Sequence, residues 1–157
     1  MSVLIAYFSA TGTTAAAAKR IASLTGGRLF KIEPKVPYTA ADLDWTDTNS
    51  RSTLEMKNPD HPVAIASLPD LEGVDLLLVG FPIWWYREPA IINSFMKELN
   101  ANGIKAACFA TSGGSGISRA QEGLEKRFSS LNWKPGLRIS SAETDEQLRQ
   151  WLDTVNA

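Results

Sequence analysis

Apolar residues in this chain fall into short continuous runs separated by amphipathic stretches. Val3–Phe8 is an unbroken apolar run ending in small polar residues, the pattern of a strand buried on both faces. Thr14–Leu24, rich in alanine, predicts a helix. Arg28–Glu33 predicts a second strand closed by Pro34, and Val74–Phe81 (VDLLLVGF) a central parallel strand. Glu88–Leu99 predicts a helix with Pro89 in its first turn, where the missing N–H is tolerated, and with Ile91, Ile92, Phe95, Met96 and Leu99 on one face. Ile104–Ala110 predicts the fourth strand. Ser118–Leu131 reads as a helix with Ser118 and Gln121 at capping-box spacing and an apolar stripe of Leu124, Phe128 and Leu131. Leu137–Ile139 predicts a short last strand. Thr144–Val155 predicts a closing helix, again with capping-box spacing at Thr144 and Gln147, and with Leu148, Trp151, Leu152 and Val155 facing inward.

Alternating buried strands and helices imply an open, mostly parallel α/β sheet with right-handed crossovers and helices on both faces. The interval from Pro34 to Leu71 breaks the alternation. It carries Pro34, Pro37, Pro59, Pro62 and Pro69 and only short helical pieces, and it is long for a plain connection. With 157 residues and no evident linker, residues 1–157 read as a single domain, long enough to bury roughly 70% of its extended-chain surface.

Sixteen Lys+Arg against seventeen Asp+Glu give a net charge of −1, which argues against a nucleic-acid footprint. One cysteine excludes intramolecular disulfides and Cys-rich zinc sites, and one histidine excludes His-rich metal centres, so no metal site is expected. No apolar run approaches the length of a signal peptide or a membrane span, and a cytoplasmic protein is expected. Chemistry in such a chain is expected to belong to something it binds.

In an open α/β sheet, ligands sit beyond the carboxyl ends of the strands, where strand order reverses. Three loops at those ends are informative. After the first strand, Ser9-Ala10-Thr11-Gly12-Thr13-Thr14 sets hydroxyls and small residues before a helix N-terminus, a cradle for a phosphate dianion. No Lys or Arg lies inside it, so binding there would be by dipoles alone; neither a Walker A nor a G-x-G-x-x-G pattern is present. A capped polar turn is the plainer alternative. After the third strand, Pro82-Ile83-Trp84-Trp85-Tyr86 places three consecutive aromatics where one strand end cannot bury all of them. They suit a flat ligand, or a core plug and a dimer contact. After the fourth strand, Thr111-Ser112-Gly113-Gly114-Ser115-Gly116 lets backbone approach a ligand edge. Together the loops fit a planar ring tethered to one phosphate.

These residues resemble a known family. Ser9–Thr14 resembles the phosphate loop of flavodoxins. Gly80-Phe81-Pro82-Ile83-Trp84-Trp85 and Ala110–Gly116 resemble a subfamily of small bacterial flavodoxin-like flavoproteins. So do Glu33-Pro34-Lys35-Val36-Pro37-Tyr38-Thr39, Asp42-Leu43-Asp44-Trp45 and Ser50-Arg51-Ser52. The resemblance implies a flavodoxin-like doubly wound sheet of five parallel strands in the order 2-1-3-4-5, binding FMN non-covalently. Ser9, Ala10, Thr11, Gly12, Thr13 and Thr14 would hold the phosphate. Pro82, Ile83, Trp84, Trp85 and Tyr86 would pack against the ring, and Thr111 to Gly116 would border its other side. The chain departs from the family in two respects. Its charge lacks the strong acidity of electron-shuttle flavodoxins. Tyr86 also stands where the subfamily carries glycine, which is expected to disfavour one-electron relative to two-electron chemistry.

Arg51 and Tyr86 are candidates for orienting a substrate; Arg51 is otherwise a surface arginine. His61 reads as a solvated loop histidine and Cys108 as a small buried hydrophobe, while Tyr38 and Trp45 are candidates for a lid or for satellite packing. The functional expectation is an FMN-dependent oxidoreductase taking electrons from NAD(P)H or a redox protein and passing them to a quinone-like or other acceptor. The alternatives are an electron carrier and a non-catalytic flavin- or partner-binding module. No nucleic acid or membrane partner is expected. A homodimer is a candidate assembly if a loop aromatic serves a contact.

Overall fold

The computed structural model describes residues 2–112, 115–140 and 142–157. Strands β1 (Val3–Tyr7), β2 (Arg28–Lys31), β3 (Leu76–Pro82), β4 (Lys105–Thr111), β5 (Asn132–Trp133) and β6 (Leu137–Arg138) form one parallel sheet in the order β2-β1-β3-β4-β5, with β6 also on β4. Helices α1 (Thr13–Thr25), α2 (Arg51–Met56), α3 (Ala90–Leu99), α4 (Ser118–Arg127) and α5 (Asp145–Asn156) complete the chain. This is the flavodoxin-like α/β topology expected from the sequence.

Alternation along the central strands divides the core into two layers. Leu4, Ala6, Phe8, Leu77, Val79, Phe81, Ala106 and Cys108 face α3 and α4. Val3, Ile5, Tyr7, Leu76, Leu78, Ala107 and Phe109 face α1 and α5. Both sets are buried, which is why these strands read as continuous apolar runs. Cys108 belongs to the first layer, and burial pushes its thiol up to about 12.

Several boundaries differ from the sequence expectation. The last strand is interrupted. Ala106 to Phe109 of β4 is matched by Trp133 to Leu137 on the edge, so the edge carries one extra residue around Pro135, which has no N–H for the ladder. Side chains satisfy the freed groups: Gly136 N–H donates to Gln121 Oε1 (2.9 Å), and Trp151 Nε1 donates to the Pro135 carbonyl (2.8 Å). Gln121 is therefore not half of a capping box. Ile117 takes the cap position of α4, Ser118 is already helical, and the helix stops at Arg127, with Phe128 and Leu131 beyond it. Helix α3 begins at Ala90, which makes Pro89 its cap. The box at Thr144 and Gln147 does form, with both reciprocal bonds.

The excursion after β2 is closed at its base by an antiparallel bridge between Pro34 and Ile65, with Lys35 N–H on Ala64 O (2.9 Å) and Ala66 N–H on Glu33 O (2.8 Å). Val63, Ile65 and Met56 anchor it in apolar packing. It therefore lies over the carboxyl rim as a pinned loop carrying α2.

Gly80 sets the spacing of the sheet beneath the site. A Cβ there would lie 2.1 Å from Cζ of Phe109, whose ring covers the strand. Gly80→Ala is expected to destabilise by about 2 kcal/mol or more and to lower Tm by about 5 °C or more. Much of the loss should return in Gly80→Ala/Phe109→Leu; thermal melts of the two variants check this.

Candidate functional site

Strand order reverses between β1 and β3, and the loops leaving their carboxyl ends diverge there. Two adjoining cavities open at this point. The larger, about 950 Å³, runs from Ala10, Thr11, Thr13 and Thr14 past Thr111 and Ser112 to Arg20, Ile139 and Ser140. The second, about 410 Å³, lies among Leu43, Trp45, Ser52, Trp85, Tyr86 and Ser115. Ala10, Thr11, Ile83 and Trp84 line both, so they form one trough.

At the first end, Gly12 caps α1 with φ of 96°, a left-handed conformation that a side chain would strain. Ser9 Oγ accepts from Gly12 N–H (3.0 Å) and Ala15 N–H (3.2 Å), which braces the loop and leaves its own proton to donate. Thr14 is buried, and its hydroxyl pairs with that of Thr111 at 2.8 Å, tying the loop to the end of β4. Thr11 and Thr13 are exposed. Helix geometry leaves the first-turn N–H groups of α1 without intrahelical acceptors. No carboxylate lines either cavity among the described residues. Donors without acid are the chemistry of an anion site.

The loop after β3 is a two-residue hairpin. Trp84 and Arg87 exchange both backbone hydrogen bonds (3.0 and 3.2 Å), and the residues between them, Trp85 and Tyr86, have φ of 47° and 70°. Positive φ at both central positions defines a type I′ turn, which favours Asn-Gly; here it is held by Trp-Tyr at a cost of about 1 kcal/mol or more for each residue. The turn sorts the aromatics. Trp84 packs edge-on against Phe8 (5.7 Å) and Tyr38 (5.8 Å), while Trp85 and Tyr86 stay 41% and 62% exposed at the mouth of the second cavity. Arg87 anchors the turn by donating to the Met56 carbonyl. Trp45, 72% exposed, faces the same mouth from the excursion.

Arg51 lines neither cavity. Its Nε donates to Glu55 (3.0 Å), its NH1 donates to Val36 O (2.7 Å), and its guanidinium lies 3.9 Å from the centroid of the Tyr38 ring. It clamps the excursion in place instead of reaching the trough. Tyr38 donates its hydroxyl to Glu55 and packs on Phe8 at 5.6 Å, so it supports Trp84 from behind and is no lid. Burial, with the Glu55 carboxylate beside it, pushes its phenol well above the ordinary value of 10.0.

In the third loop, Ser112 donates to Ser115 O (2.5 Å) and accepts from Arg138 Nε (2.8 Å). Gly113 and Gly114 lie outside the described residues. Nothing in the sequence links Arg138 to residue 112; the β4–β6 register puts it there. Arg20 also lies at the site, where Thr13, Ala16, Ala17 and Arg20, at a helical spacing visible in the sequence, form one face of α1 along the cavity.

Comparison with known proteins places the chain among others of this shape. A family model described as flavodoxin matches residues 2–155. No curated protein matches. A solved structure of a candidate flavoprotein from Bacteroides eggerthii is 42% identical, covering 99% of this chain and 98% of its own, with a TM-score of 0.94. A second, from Bacteroides uniformis, is 43% identical over 97% of each chain, with a TM-score of 0.91. A flavoprotein from Lactobacillus acidophilus, solved in complex with FMN, shares the fold at 21% identity and a TM-score of 0.72, covering 96% of this chain and 98% of its own.

The clamp predicts a pH dependence. Raising the Tyr38 pKa in the folded state makes the unfolded chain release its proton first, so the contribution is complete below pH 10.0 and declines above it. Urea unfolding between pH 7 and pH 11 should show that decline, and Tyr38→Phe should flatten it.

Proposed function

Because the chain belongs to the flavodoxin family, we propose that it binds FMN in the trough and acts as an oxidoreductase. Electrons would pass between NAD(P)H or a protein donor and a quinone-like acceptor. One observation carries the binding claim: a continuous trough, free of acidic side chains among the described residues, leads from the first-turn N–H groups of α1 to an aromatic slot. Its donor set suits a phosphate, and its far end suits a flat ring. The FMN complex of the Lactobacillus acidophilus protein supports the same ligand.

In this reading Thr11, Thr13 and the N–H groups of Thr13 and Thr14 hold the phosphate, and Ser9 and Thr14 fix the loop that presents them. Trp84, wedged by Phe8 and Tyr38, holds the turn beside the ring, and Ser112, braced by Arg138, holds the opposite loop. FMN supplies the transfer of electrons or hydride when bound. Leu43, Trp45, Trp85 and Tyr86 offer an exposed apolar mouth for a second flat molecule, with Tyr86 as its orienting group. That mouth, with a net charge of −1, favours an enzyme over an acidic carrier.

Purified protein reconstituted with FMN should retain flavin absorbance after gel filtration and oxidise NADH or NADPH when a quinone is added. Retention without turnover would identify a carrier or a binding module, and failure to take up FMN would exclude every flavin reading. The turn adds a second expectation. Reversing its central peptide would convert type I′ into type II′, whose first central position requires glycine and here holds Trp85. The turn is thereby locked, so reductive titration should pass from oxidised to fully reduced flavin with one isosbestic behaviour throughout. Trp85→Gly should break that simple behaviour.

A further inference from the structure

The lining of both cavities contains one charged side chain among the described residues, Arg20. It lies two helical turns beyond the phosphate loop, on the face of α1 formed by Thr13, Ala16 and Ala17. Side chains on a helix lean toward its N-terminus, and the two alanines between leave that lane open. The axial separation from Thr13 is roughly 10 Å, and Arg20 lines the same cavity as Thr11, Thr13 and Thr14.

The present partners of Arg20 do not consume it. One terminal nitrogen donates to the Glu143 carbonyl (2.6 Å) and to Asp145 Oδ1 (3.3 Å). The arginine side chain is 34% exposed and the aspartate 60%, so that ion pair is weak. Nε and the other terminal nitrogen donate to no acceptor among the described residues. A guanidinium carries five donors, enough to keep Glu143 and meet an anion as well.

We propose that Arg20 is the counter-charge of the phosphate site and makes the trough selective for the phosphorylated flavin. This rests on the FMN reading and departs from one part of the sequence expectation: the dianion would be held by helix dipoles and hydroxyls together with a cation supplied from outside the loop. Riboflavin, which lacks the phosphate, would gain nothing from Arg20.

Flavin-fluorescence titrations of the purified apoprotein with FMN and with riboflavin test this. Arg20→Gln should weaken FMN about tenfold or more and leave riboflavin within about twofold; Arg20→Lys, which keeps the charge, should retain most of the affinity. Added salt should weaken FMN binding less in Arg20→Gln than in the parent. Equal effects on both flavins, or none on either, in a parent that binds FMN would overturn the role of Arg20 alone. A parent that takes up neither flavin would overturn the flavin reading and this inference with it.

Discussion

The feature on which the rest depends is the pairing of β1 with β3 at the centre of the sheet. β1 has β2 on one side and β3 on the other, so the chain leaves their carboxyl ends in diverging directions. The gap is structural and would exist whatever residues lined it. Gly80 and Phe109 hold β3 and β4 in register beneath it, and the Thr14–Thr111 hydrogen bond ties the first loop to the fourth strand above it. The site is thus built at a place the topology opens and is stiffened by contacts that reach across two strands.

A second constraint follows from the aromatic turn. Two bulky residues at positive φ are unfavourable alone, and the surrounding structure has to over-determine them. Trp84 is fixed by Phe8 and Tyr38, and Tyr38 by Glu55 and Arg51. Arg87 joins the turn to the end of α2. The long excursion is therefore the support of the turn. Its pinned base and the half-buried α2 place Trp45 and Leu43 opposite Trp85 and Tyr86, which forms the mouth of the second cavity.

Much of this was legible in the sequence. The apolar runs identified the central strands because burial on both faces leaves no polar position to interrupt them. The three loops were legible because hydroxyl, aromatic and glycine clusters are unusual at strand ends. Other features were not legible. The two-residue strand Asn132–Trp133 has too few positions to show a period, and Ser118 with Gln121 had the right spacing for a cap while the glutamine was needed by Gly136. The clamp of Arg51, the brace of Arg138 and the exposure of Arg20 to the trough depend on contacts between distant segments. Of these, Arg20 alone left a trace, its helical spacing from Thr13.

The central claim is that the trough holds FMN with its phosphate at the start of α1 and its ring beside the aromatic turn after β3. A crystal structure of the chain grown with FMN tests it most directly. The account predicts phosphate oxygens within hydrogen-bond distance of the Thr13 and Thr14 N–H groups, and the ring between the Trp84–Arg87 turn and the loop that follows β4. A trough without flavin, or flavin bound elsewhere on the surface, would contradict it.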